Sequence, residues 1–152
     1  TEFPYGTAGH QPFSAANMSH EDADYLVFNG AVGGLTSDEH ALRANVGETV
    51  RIYFGVGGPN YTSSFHVIGE IFDRVYENAS LTSPPLTNVQ TTLVPTGGAT
   101  IVEFTVDVPG NYILVDHSLS RLERGLAEYL IVEGDEQPDI FHGETLPESS
   151  GH

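Results

Sequence analysis

Thr49-Val50-Arg51-Ile52-Tyr53-Phe54, then Gly55-Val56-Gly57-Gly58-Pro59-Asn60, then Ser63-Ser64-Phe65-His66-Val67-Ile68-Gly69 read as a strand, a turn and a second strand in direct succession. The first run alternates in part and is rich in β-branched and aromatic residues, which fit a pleated, half-buried surface. The glycine and proline cluster breaks it. In the second run, alternation sets Ser64, His66 and Ile68 on one face and Phe65 and Val67 on the other. Working outward, the same signature recurs at Tyr25–Phe28, His40–Ala44, Ile71–Tyr76, Val89–Val94, Thr100–Val106, Tyr112–Val115 and Tyr129–Val132, each bounded by Gly, Pro or Asn. Strands at this spacing predict an all-β, antiparallel sandwich or Greek-key barrel. One short helix is expected from Ser118 to Gly125, with Ser118 capping its first turn and Gly125 ending it.

The chain has 152 residues, enough for one domain with a real core. Its first 23 residues lack apolar periodicity and read as a linker or arm. Residues 24–134 carry the strand signals, and 135–152 form an acidic, proline-containing tail expected to lie over a surface or to move. Five arginines, no lysine and 21 acids give 5 − 21 = −16. Such a chain has no basic face for phosphates, so nucleic acid is excluded as a partner. The acidity fits a solvated coat that keeps a protein soluble in high salt, hence a halophilic source. With no cysteine, neither disulfides nor a thiolate-bound copper can be built from this chain alone. No apolar run is long enough to span a membrane, and the first residues have no basic region or apolar signal core. Asn-x-Ser/Thr triplets at Asn17, Asn60 and Asn78 hint weakly at export.

Seven histidines stand out in so cation-poor a chain, because imidazole binds copper and zinc and titrates near neutrality. His10, His20, His142 and His152 lie in polar or terminal segments, and His40 follows Asp38-Glu39. All five read as solvated surface. His66 sits inside an apolar strand, and His117 closes Tyr112-Ile113-Leu114-Val115-Asp116 just before the expected helix, a rigid place from which a ring can point outward. A strand histidine is more often a satisfied core or surface residue than a ligand. Two histidines also do not complete a metal site, so if they bind metal, another chain must supply ligands. Gly55–Gly58 lacks the lysine and following helix of a phosphate loop. Asp116-His117-Ser118 cannot stack as a catalytic triad, since neighbours in a strand point apart.

Longer strings say more than single residues. Ser63–Asp73, then Val89-Gln90-Thr91-Thr92-Leu93-Val94-Pro95, then Pro109-Gly110-Asn111-Tyr112 leading into Leu114-Val115-Asp116-His117-Ser118, closely resemble the C-terminal cupredoxin domain of copper-containing nitrite reductases, in a halophilic, archaeal-like version. The resemblance covers about residues 24–134. It implies a cupredoxin-type Greek-key β-sandwich and a homotrimer, with a type-1 copper in an N-terminal cupredoxin domain and a catalytic type-2 copper between subunits. By motif position, His117 resembles the ligand that this domain lends to the type-2 copper and His66 the catalytic histidine. Ile68 resembles the apolar residue shaping the nitrite pocket, and Gln90 and Thr91 the support of the histidine. Residues 1–23 resemble the end of the missing first domain, so a cut in an exposed loop of a longer subunit is expected.

The resemblance further implies reduction of nitrite to nitric oxide, a small redox protein as electron donor, and an extracytoplasmic location, soluble or peripherally anchored. Two other readings stay open. One is a metal-free extracellular β-sandwich for assembly or binding. The other is a multicopper oxidase domain, against which stands the absence of any His-x-His pair.

Overall fold

The computed structural model describes residues 6–143 as two packed β-sheets. The strands are β1 (Leu42–Asn45), β2 (Thr49–Gly55), β3 (Ser63–Ile68), β4 (Phe72–Tyr76), β5 (Leu86–Val89), β6 (Thr92–Val94), β7 (Ala99–Thr105), β8 (Gly110–Asp116) and β9 (Ala127–Glu133). One sheet has the order β1-β9-β8-β3-β6 and the other β2-β7-β4-β5. Apart from the β4–β5 and β8–β9 connections, every link between successive strands crosses from one sheet to the other. That crossing makes a two-sheet sandwich rather than a meander, the architecture the resemblance implies.

Alternation explains how the sheets meet. Phe65 and Val67 of β3, Leu114 of β8 and Leu130 and Val132 of β9 face Phe72 and Val75 of β4 and Val102 and Phe104 of β7 in one buried cluster. Phe54, Phe65, Phe72 and Phe104 run through it as a chain of ring contacts. Burying each such ring stabilises by about 2–3 kcal/mol, so this stack is the main apolar anchor between the layers.

Several expectations are corrected. β1 pairs in parallel with β9, Leu42 opposite Leu130, so the sandwich is not wholly antiparallel. Tyr25–Phe28 is not a strand: Asn29 (φ 47°) and Gly30 (φ 83°) turn the chain at once, leaving a single Phe28–Ala31 bridge. Leu26 N–H instead bonds the Arg124 carbonyl. The run Val89–Val94 divides at Gln90-Thr91 into β5 and β6, which lie in opposite sheets. His40 and Ala41 belong to a turn on the Ser37 carbonyl, and β1 starts at Leu42. Within residues 6–23, read as irregular, Ala15–Ser19 forms a short α-helix, α1, whose first turn is capped by Ser14 Oγ accepting from Asn17 N–H at 3.2 Å. The tail beyond Gly143, with His152, lies outside the described residues.

The segment after β8 is a 3-10 helix, Leu119–Arg124, not an α-helix, and the Ser118 side chain does not cap it. Gly125 does end it. At φ 108° it adopts the left-handed conformation, its N–H bonds the Leu122 carbonyl, and Leu126 N–H bonds that of Arg121.

Candidate functional site

β3 and β8 lie side by side and antiparallel, His66 opposite Val115 and Phe65 opposite Asp116. His117, the residue after β8, therefore comes to rest beside β3, where its N–H bonds the Ser64 carbonyl at 2.8 Å. The rings of His66 and His117 are 5.3 Å apart, inclined at 43°. Two histidines separated by 51 positions in the chain thus share one edge of the sandwich.

Their surroundings differ. His66 is only 4% exposed although its strand face points away from the core, and its Nδ1 lies 2.6 Å from the Gln90 carbonyl oxygen. A carbonyl can only accept, so Nδ1 carries a proton and Nε2 is left as the exchangeable atom. His117 is exposed, and among the described residues its ring makes no hydrogen bond. Ile68 is on the same strand face as His66, two residues along, and 42% exposed. Gln90 acts on His66 through its main chain, while its side chain is exposed; Thr91 is half-buried and makes no bond to His66. The five histidines read as surface include four within the described residues, and His10, His20, His40 and His142 are all exposed.

A third residue belongs to this edge. Asp116 is 1% exposed, its Oδ1 accepts from Ser118 N–H at 3.0 Å and Ser64 N–H at 3.3 Å, and its Oδ2 pairs with Arg121. Burial pushes this carboxyl up, but the Ser118 N–H, the Arg121 guanidinium and the Ser64 N–H outweigh it and hold it below the usual carboxylate range. In the sequence Asp116 stands only as a member of a triad that cannot form, and nothing singles out Arg121 beyond a five-residue Asp–Arg spacing across a strand-to-turn junction.

Among the described residues no three His, Cys, Asp or Glu side chains are placed to hold a metal. The donors fit copper only in part: His117 offers an exposed imidazole, a ligand type suited to copper, and the rest of a coordination set is not found among the described residues.

The fold and this edge define a cupredoxin-type β-sandwich with one outward imidazole beside a buried, tautomer-fixed one. A family model described as multicopper oxidase matches residues 6–136. The chain belongs to that family. It is similar to a copper-containing nitrite reductase of Neisseria meningitidis serogroup A, with 54% identity over 138 residues, 90% of this chain and 35% of the relative. Among solved structures it is similar to a copper nitrite reductase from Nitrosomonas europaea (TM-score 0.73, 32% identity, 82% of this chain and 45% of that one). A copper-containing nitrite reductase from Thermus scotoductus matches at TM-score 0.74 and 29% identity, over 82% of this chain and 29% of that one. The chain spans about a third of the length of the curated relatives it matches.

Proposed function

We propose that this chain is the C-terminal cupredoxin portion of a copper-containing nitrite reductase and lends His117 to a type-2 copper completed by a neighbouring subunit of a homotrimer. The observation that carries the reading is the pairing of exposed His117 with buried His66, rings 5.3 Å apart, at one edge of the sandwich. The similarity to nitrite reductases at 54% identity supports it. A metal-free assembly module has no use for such a pair, and oxidase chemistry of the kind that draws on His-x-His ligand pairs, as distinct from membership of the multicopper oxidase family, has no such pair in this sequence.

The reaction is NO2− + e− + 2 H+ → NO + H2O. Copper bound by His117 and the neighbour's ligands would supply Lewis acidity and the one-electron step, the electron coming from a type-1 copper in the N-terminal domain and ultimately from a small redox protein. His66 delivers a proton from Nε2, because Nδ1 is committed to the Gln90 carbonyl. That carbonyl also holds the ring against rotation, so the donor stays in one orientation through turnover. Ile68 presents an apolar surface on the same strand face, which keeps bulk water off the reacting ion and restricts how nitrite sits. A halophilic source and an extracytoplasmic location belong to the same proposal, supported by the net charge of −16 and the three Asn-x-Ser/Thr triplets.

The test is copper content and nitrite turnover of the assembled enzyme. His117→Ala loses the type-2 copper with the fold retained. His66→Ala keeps copper and loses about 10²–10⁴-fold in turnover. Unchanged activity in either variant contradicts the assignment.

A further inference from the structure

Asp116 and Arg121 take no part in the chemistry above, yet they surround the residue that does. Oδ1 of Asp116 receives N–H groups from Ser118, immediately after His117, and from Ser64, on the strand that carries His66. His117 N–H bonds the Ser64 carbonyl from the other side. The main chain of His117 is thereby tied before, at and after the residue to one point of β3. Arg121 closes the arrangement by pairing with Asp116 Oδ2, donating to the Thr62 carbonyl at 2.6 Å and lying 4.9 Å over the Tyr61 ring.

This pair differs from the other four arginines' ion pairs. Its side chains are 20% and 1% exposed, whereas Arg43, Arg51, Arg74 and Arg124 are each more than 40% exposed. A buried ion pair is weak evidence for stability, since desolvation offsets most of its attraction, and its better-attested use is to fix registry. What it fixes here is the end of β8 against β3, and so the root of one imidazole relative to the other.

We propose that Asp116 and Arg121 are positioning residues that hold His117 in ligating register with His66. The inference rests on the reading of His117 as a copper ligand. An exposed imidazole on an unbraced loop would lose rotational and backbone freedom on binding metal, and a braced one has already lost the backbone part.

The test uses the assembled, copper-loaded enzyme, titrated with copper and followed by electron paramagnetic resonance, with thermal melts recorded in parallel. Asp116→Ala and Arg121→Ala weaken type-2 copper binding by about 10–100-fold and change its hyperfine splitting. Asp116→Asn keeps an oxygen for Ser64 and Ser118 but loses the pairing with Arg121, so its affinity and spectrum fall between those of Asp116→Ala and the native protein. Where Asp116→Ala fails to fold, Arg121→Ala and Asp116→Asn carry the comparison. Native copper affinity and spectrum in Arg121→Ala or Asp116→Ala, even with a lowered melting temperature, overturn the inference while leaving His117 as ligand. Copper retained by His117→Ala overturns the ligand reading and this inference with it.

Discussion

Asp116 and Glu103 are both buried acids held by arginine, one on each sheet, and they serve different ends. Glu103 lies in the middle of β7, directly opposite Arg51 of β2 and Arg74 of β4. It accepts from Arg51 Nε at 2.7 Å, Arg74 Nη1 at 3.4 Å and Tyr76 Oη at 3.5 Å, and the hydrogen bond from Arg51 above all holds its carboxyl below the ordinary range. Every bond it makes ties a central strand to its two neighbours, with no candidate functional group in reach. Asp116 ends its strand and spends its oxygens on the main chain flanking an exposed imidazole. The same chemistry therefore acts as a sheet clasp where the sequence is regular and as a site brace where the strand stops.

The comparison breaks most sharply at the metal. Asp116→Ala weakens copper by about 10–100-fold, whereas Glu103→Ala leaves copper affinity and spectrum native, because its effect stays within the far sheet. A copper titration of both variants side by side checks this, and a matching loss in Glu103→Ala would remove the distinction.

Stability separates the two next. Glu103→Ala frees two arginines that are more than half exposed and can return to water, so the cost is that of lost charge-assisted bonds, about 1–3 kcal/mol in denaturant unfolding at pH 7. Glu103 has a depressed carboxyl, so its stabilising contribution is present above the unfolded value near 4.5 and fades as pH falls through the folded one. The stability difference between native protein and Glu103→Ala therefore shrinks in acid. A difference that grew on acidification would contradict the clasp.

Glu128 sharpens the contrast, being a buried acid with no arginine. It is 7% exposed, alternates with Leu130 and Val132 on the core-facing side of β9 and makes no side-chain hydrogen bond or ion pair among the described residues. Burial alone pushes its carboxyl up to about 7 from the ordinary 4.5. Its protonated form suits the fold, so its contribution is intact below about pH 4.5 and is lost as pH rises toward and past 7. Glu128→Gln is expected to leave stability at pH 4 nearly unchanged and to raise it at pH 8 by about 1–3 kcal/mol. Equal melting temperatures of the two proteins at pH 8 would count against this.

These differences also show which parts of the molecule could be read in advance. The pattern of β-branched and aromatic runs between turns located β2, β3, β4, β7, β8 and β9, with burial alternating along β2 and β9 but β7 buried on both faces from Thr100 to Phe104. It failed at Gln90-Thr91, where no glycine or proline marks the switch between sheets, and at Tyr25–Phe28, whose apolar run packs without a partner strand. His66 and His117 could be singled out from local context. Their closeness could not, since it depends on β3 and β8 pairing across about 50 residues of chain. The brace was harder to read for a related reason: Asp116 acts on backbone N–H groups, which have no sequence signature, and the Asp–Arg spacing gains meaning once the Leu119–Arg124 segment folds as a 3-10 turn.

Crystals of the assembled enzyme, with anomalous scattering recorded at the copper edge, test the central claim most directly. The account predicts a copper peak at bonding distance, about 2 Å, from the His117 imidazole, with the remaining protein ligands contributed by a neighbouring subunit. Copper held entirely elsewhere, with His117 turned into its own sandwich or left in solvent, would contradict it.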